Sequence, residues 1–190
     1  MENTLQVFSE YKHYAIIVHV FSVILGMGAA LVSDVLFNVY IKDKKINPTE
    51  NKTLGVLSRI IWISLGCIVF TGLFIFLSDP IKYAQSVKFL VKMTIVGVII
   101  LNGYLFWKIT HKSLAKLTFV DTNMNHKYVR IRKVSFAFGA ISITSWMSAF
   151  ILGSVQSIPM SYGVAMGIYG AFILIAVVVS QVVEYIITHR

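Results

Sequence analysis

The sequence predicts an all-α fold, a polytopic transmembrane bundle of five helices. Its 190 residues contain five long apolar blocks, 57% of the residues are hydrophobic, only 13% are charged, and the mean hydropathy is +0.77. Each block supplies the ~20 apolar residues that cross a hydrocarbon layer of about 30 Å. Strands of a membrane barrel would instead alternate over about 10 residues, so helices must satisfy the backbone in lipid.

The five helices are expected to form a single transmembrane domain covering residues 1–190. Their approximate bounds are 14–41, 54–77, 87–109, 134–155 and 162–187. All three prolines, Pro48, Pro80 and Pro159, fall between these blocks, where a missing backbone N–H costs little. The turn residues and the hydropathy therefore agree on the segmentation.

Basic residues alternate between the connections and predict an orientation. Lysine and arginine are concentrated in loops 42–53 and 110–133, whereas loop 78–86 has only Lys82 and loop 156–161 has none. The positive-inside rule then places the N-terminus outside and the C-terminus in the cytoplasm. Basic loops on that side favour contact with anionic lipid headgroups of the bilayer. Because most of the net charge of +9 lies in these loops, we expect no nucleic-acid partner.

A few ionisable residues lie inside the expected spans, where burial of a charge needs a reason. With a helical rise of 1.5 Å per residue, His19 and Lys92 lie about 8 Å below the outer boundary. Asp34 and Arg59 lie about 10 Å and about 8 Å from the inner boundary. The ionisable residues therefore sort into an outer and an inner layer.

In the inner layer, Asp34 and Arg59 are expected to form a buried ion pair between the first two helices, because a carboxylate and a guanidinium at matching depth attract each other. Such a pair fixes helix register. Movement of a proton or a metal ion through the same two residues is the alternative.

In the outer layer, His19 and Lys92 are the candidate cofactor-binding residues. An imidazole buried among aliphatic side chains is a natural ligand for a metal or for haem, so His19 is also the candidate metal ligand. Two structural roles stay open beside this one: a hydrogen-bonded core imidazole at His19, and a Lys92 side chain that reaches the interface on its flexible stem.

Small residues recur at four-residue spacing in two helices, a pattern that lets helices pack closely. One set is Gly26 and Ala30, and the other is Gly163, Gly167 and Ala171. Packing within the chain is favoured over dimerisation for both sets.

Three short motifs resemble those of the CopD-like and HemJ-like bacterial membrane proteins over roughly residues 12–110. They are the histidine of "AIIVHVFSVILGMGAALVSDVLF", the Thr-Gly-Leu of "IVFTGLFIFL", and the Leu-x-Lys that opens "KFLVKMTIVGVIILNGYLF". In the HemJ-like branch, which oxidises protoporphyrinogen, the first-helix histidine is associated with haem b and the third-helix lysine is required. The resemblance implies these roles for His19 and Lys92, and a multi-pass location in the bacterial inner (plasma) membrane.

Three classes of function fit the sequence. The first is a haem-associated or redox-linked membrane protein using His19 and Lys92. The second is a small transporter or permease subunit for a metal ion or protons, using Asp34 and Arg59. The third is an accessory subunit without chemistry of its own. No catalytic residue is predicted, and the single Cys67 excludes an intramolecular disulfide.

Overall fold

A computed structural model describes the chain over residues 2–40, 47–117 and 125–189, with side chains placed at 8, 10–40, 47–109 and 129–186. Within these ranges there is no strand, which confirms the all-α prediction. The helices in chain order are α1 (Glu2–Tyr40), α2 (Pro48–Leu77), α3 (Pro80–Ala84), α4 (Val87–Leu117), α5 (Asn125–Ser154) and α6 (Tyr162–His189).

All helices but α3 are long and apolar enough to cross a membrane. Large apolar side chains lie on their outer faces: Phe70 is 71% exposed and Leu174 is 69% exposed. Apolar surface on this scale is stable only against lipid or another apolar partner. The chain is therefore a multi-pass membrane protein in its architecture.

The helices extend beyond the apolar blocks at several ends. α1 begins at Glu2 rather than near 14, and α5 begins at Asn125 rather than near 134. Hydropathy marks only the part of a helix that lipid surrounds, whereas backbone hydrogen bonding continues into the polar flanks. This difference matters at α5, because it turns a stretch expected to be a loop into helix.

Local sequence explains where α2 and α3 begin. Asn47 accepts a hydrogen bond from the Glu50 backbone N–H (2.9 Å), and the Glu50 carboxylate accepts one from the Asn47 N–H (2.8 Å). This capping box is followed by Pro48, whose fixed φ suits the first helical position. Asp79 and Pro80 start the short α3 in a similar way.

α1 packs along α2 and also contacts α5, while α4 packs on α5 and α6. α1 and α5 run antiparallel, because Gly26 faces Trp146 and Asp34 faces Gly139. The buried core lies between these helices. Its best-buried apolar members are Leu65, Val91, Ile95, Ile99 and Trp146.

The two small-residue patterns have different outcomes. A Cβ at Gly26 would lie 2.6 Å from Cη2 of Trp146 and 3.0 Å from Cβ of Ser64, so α1 can approach α2 and α5 this closely only with glycine. Packing within the chain is confirmed there. Gly163 and Gly167 have no atom within 4 Å of such a Cβ. The expected internal packing of that stripe is wrong, because α6 turns the face carrying Tyr169 toward the core instead.

Candidate functional site

His19 is held by a side chain of the neighbouring helix. Its Nδ1 lies 2.9 Å from Oγ1 of Thr71 in α2. The Thr71 hydroxyl also lies 2.6 Å from the Cys67 carbonyl oxygen, to which it donates its proton. Next to Thr71, the imidazole packs against Gly72, where a Cβ would lie 3.6 Å from Cε1 of His19, an ordinary van der Waals distance.

These contacts fix the tautomer of His19. A threonine hydroxyl has one proton, and that proton is used on the Cys67 carbonyl. Thr71 then accepts from the Nδ1–H of His19, and in the neutral imidazole Nε2 keeps its lone pair. A histidine whose second nitrogen is oriented in this way is suited to bind a metal or to accept a proton-bearing ligand.

His19 and Lys92 line the same small cavity, which has a volume of about 30 Å³. The cavity lies between α1, α2, α4 and α5, and most of its wall is apolar, with Leu65, Ile68 and Ile99 among the lining residues. The two candidate residues, predicted to lie at one depth, are thus brought together. We call this end of the bundle the His19 half and the opposite end the Asp34 half.

Lys88 and Lys92 approach the C-terminal end of α5 but differ in their contacts. Nζ of Lys88 donates to the carbonyl oxygens of Val155 and Gln156, where a helix end carries partial negative charge. Nζ of Lys92 lies 3.7 Å from where a Cβ of Gly153 would be. Among the residues whose side chains are placed, it has no hydrogen-bond or ion-pair partner.

Trp146 is a cavity residue that sequence reasoning did not single out. Its side chain is 2% exposed, and its indole Nε1 is buried without a hydrogen-bond partner. The only sequence signal was its position in a serine-rich stripe of the fourth apolar block. An indole N–H usually finds an acceptor when it is buried.

The cavity does not accommodate haem. Pockets for ligands of drug size measure about 300–1,000 Å³, roughly an order of magnitude more than this cavity. His19 alone of the lining residues is a metal ligand, and no group of three His, Cys, Asp or Glu side chains occurs among the described residues. The haem b and metal assignments at His19 stay predictions.

In the Asp34 half, the carboxylate of Asp34 faces α5. Its Oδ1 lies 3.1 Å from where a Cβ of Gly139 would be, so glycine makes the room that the carboxylate occupies. Its Oδ2 is buried and has no hydrogen-bond partner. One turn along α5, the hydroxyl of Ser135 is likewise buried without a partner.

The predicted ion pair between Asp34 and Arg59 is not formed. Arg59 of α2 is exposed on the surface of the helix bundle, whereas Asp34 points toward α5. Equal depth places two residues at the same level of the membrane, but their rotation about each helix axis decides whether they meet. Here the rotation separates them.

A different buried ion pair joins α5 to α6. Nε and Nη2 of Arg132 both contact Oε1 of Glu184, and the two side chains are 9% and 2% exposed. Sequence reasoning missed this pair because it placed Arg132 in the loop 110–133. The earlier start of α5 brings Arg132 into the bundle.

Comparison with known proteins finds no matching family model, no matching curated protein and no matching solved structure. The resemblance to CopD-like and HemJ-like proteins therefore stays a prediction. The lysines at 42, 44 and 45, on which contact with anionic headgroups partly depends, lie outside the described residues.

Proposed function

We propose that this protein is a small proton-linked transporter of the bacterial plasma membrane, in which Asp34 holds the coupling proton. The observation that carries the proposal is the buried carboxylate oxygen of Asp34, which has no hydrogen-bond or ion partner among the described residues. An ionisable residue that faces the interior of a membrane bundle typically belongs to an ion or proton pathway.

The physical reason is the cost of an isolated charge. Moving an ionised carboxylate out of water without a partner costs far more than moving the neutral acid. A carboxyl group in this position therefore takes up a proton when its surroundings are dry and releases it when water reaches it. That alternation is what a proton carrier requires.

The charged groups around Asp34 leave its carboxyl group available to bind a proton. On α5 and α6, Arg132 and Glu184 neutralise each other, so Arg132 is already committed to a carboxylate. Arg59 of α2 is exposed on the outer face. Gly139 provides space without a competing side chain.

The test is proton flux into liposomes that contain the purified protein, with sodium chloride on both sides of the membrane. A potassium diffusion potential drives the flux. We expect wild-type protein to admit protons and Asp34→Asn to fall to the level of protein-free liposomes. Asp79→Asn is the matched control, because Asp79 caps α3 and asparagine is as good a cap. It should retain the wild-type flux.

Two outcomes would contradict the proposal. One is a wild-type flux no greater than that of protein-free liposomes, and the other is full flux through Asp34→Asn. An equal loss in Asp79→Asn would also contradict it, because the effect would then follow any lost carboxylate.

A further inference from the structure

Arg59 of α2 is a charged side chain that the fold leaves exposed within a membrane-spanning segment. It has no hydrogen-bond or ion-pair partner among the residues whose side chains the structure places. The acidic side chains placed in the Asp34 half are directed elsewhere: Asp34 points toward α5, Glu50 caps α2, and Glu184 lies in the buried ion pair. A guanidinium on a lipid-facing surface therefore takes its counter-ion from outside the chain.

Arg59 borders the seam where α2 meets α4. The indole of Trp62 packs on α4 at Gly103, with its Cζ2 3.5 Å from where a Cβ of that glycine would be. Arg59 precedes Trp62 by three residues, so the two side chains are neighbours on one face of α2. Arg59 thus stands one turn from the point where the two helices touch.

The other wall of this seam belongs to α4. Because α2 and α4 are consecutive membrane spans, they run antiparallel. The turn of α4 that follows Gly103 carries Trp107 on the same face, at the end of the seam where the guanidinium lies. Trp62 is 38% exposed and Trp107 is 53% exposed, so both indoles are open to the lipid. We call this cationic, aromatic-walled seam the α2–α4 groove.

The chemistry of the groove matches a phospholipid with a net negative headgroup. A guanidinium forms paired hydrogen bonds to phosphate oxygens, and its long side chain reaches from the span toward the headgroup level. Tryptophan, with an apolar ring and a polar edge, is enriched at that level of a bilayer. Lys52 and Lys108, both exposed, add positive charge toward the same end of the two helices. Basic pockets between spans bind anionic headgroups in this way.

We propose that the α2–α4 groove binds one anionic phospholipid of the leaflet that borders the Asp34 half. Its phosphate accepts hydrogen bonds from Arg59, and its glycerol and upper acyl chains pack against Trp62 and Trp107. The bound lipid supplies the counter-ion that Asp34 does not, and it closes a seam where α2 and α4 touch only over a short stretch. The site is independent of the proposed proton transport.

The experiment uses lipids with brominated acyl chains, which quench a tryptophan beside them. Trp107→Phe leaves Trp62 as the exposed reporter and keeps an aromatic ring on α4, while Trp146, at 2% exposure, adds a nearly constant background. The protein is placed in bilayers of phosphatidylcholine mixed with increasing fractions of brominated phosphatidylglycerol, and quenching gives the relative affinity at Trp62. We expect a roughly fivefold preference for phosphatidylglycerol, the ratio for one basic residue near anionic lipid.

Arg59→Gln tests the residue, and Arg130→Gln is its matched control, both in the Trp107→Phe background. Arg59→Gln should remove most of the preference. Arg130→Gln, which takes an exposed arginine from α5 in the same half of the bundle, should keep it. Arg59→Lys keeps the charge without the planar guanidinium, so it should retain more of the preference than Arg59→Gln. Unfolding temperatures show that each variant is folded.

The proposal is overturned if Trp62 has equal affinity for the two lipids, or if Arg59→Gln keeps the full preference. It is also overturned if Arg130→Gln lowers the preference as much as Arg59→Gln, because the effect would then follow total basic charge. Inorganic phosphate that displaces the brominated lipid at constant ionic strength would assign the site to a soluble anion instead. None of these results depends on proton flux, so the lipid site and the proposed function can each fail alone.

Discussion

At the scale of single residues, the hydroxyl of Thr71 decides what His19 can do. It accepts from Nδ1 of His19 and donates to Cys67. Thr71→Val removes the acceptor, so we expect the imidazole to become a mixture of tautomers and the protein to lose about 1–3 kcal/mol for the buried N–H left unpaired. Nitrogen-15 chemical shifts of His19 measure the tautomer directly.

Thr71→Ser is the control for that change, because serine keeps the hydroxyl. It should retain the Nδ1–H tautomer. An unchanged single tautomer in Thr71→Val would mean that Thr71 does not orient the ring.

The depth of individual residues was predictable from the sequence, and their direction was not. Helical rise placed His19 and Lys92 at one level, and they do line one cavity. The same calculation paired Asp34 with Arg59, which fails because Arg59 is exposed on the other side of α2. Rotation about the helix axis depends on which faces pack together, and in a membrane both faces of a helix are apolar.

At the scale of helices, the contact of α1 with α2 and α5 depends on Gly26. Gly26→Ala places a Cβ 2.6 Å from the ring of Trp146, so the indole or the helix must shift. We expect a loss of about 1–3 kcal/mol in the free energy of unfolding, as for other overpacked cores. Denaturant unfolding in detergent measures it.

Gly28→Ala, on the open side of α1 with no atom within 4 Å of its Cβ, should leave stability unchanged or slightly raised. Equal losses in the two variants would mean that the close contact with Trp146 is not responsible.

The contact of α5 with α6 depends on the pair between Arg132 and Glu184. Arg132→Gln or Glu184→Gln removes one charge of the buried ion pair, and each should cost about 3–5 kcal/mol. The double variant should recover part of that loss, and a double-mutant cycle of unfolding free energies measures the coupling.

Arg130→Gln is the matched control, since Arg130 is exposed on the same helix, and it should have little effect. Strictly additive losses at Arg132 and Glu184 would show that the two residues do not stabilise each other. The sequence alone hid this pair, because hydropathy began the fourth block after Arg132 rather than before it.

At the scale of the whole molecule, the distribution of basic residues predicts the orientation in the membrane. A reporter fused after Arg190 should be cytoplasmic, and one fused before Met1 should be extracytoplasmic. Compartment-specific reporter activity measures both. A C-terminus outside the cytoplasm would reverse the side to which the His19 half faces.

The fold class and the number of spans followed from length and hydropathy, because lipid leaves the backbone few alternatives. The residues of the candidate site could be predicted from the sequence only in part. Thr71, which bonds His19, and Trp146, which lines the cavity, carry no hydropathy signal that marks them, and their places depend on which helices are neighbours.

The protonation state of Asp34 in the lipid-embedded protein is the most direct measure of its role as the proton-binding carboxyl. Infrared difference spectra between wild type and Asp34→Asn isolate its C=O stretch, with Asp79→Asn as the reference. At neutral pH we expect a protonated-carboxyl band that only Asp34→Asn removes, and that shifts in D₂O because the proton exchanges with water. A difference spectrum containing only ionised-carboxylate bands, or a protonated band that never exchanges, would contradict a proton-carrying Asp34.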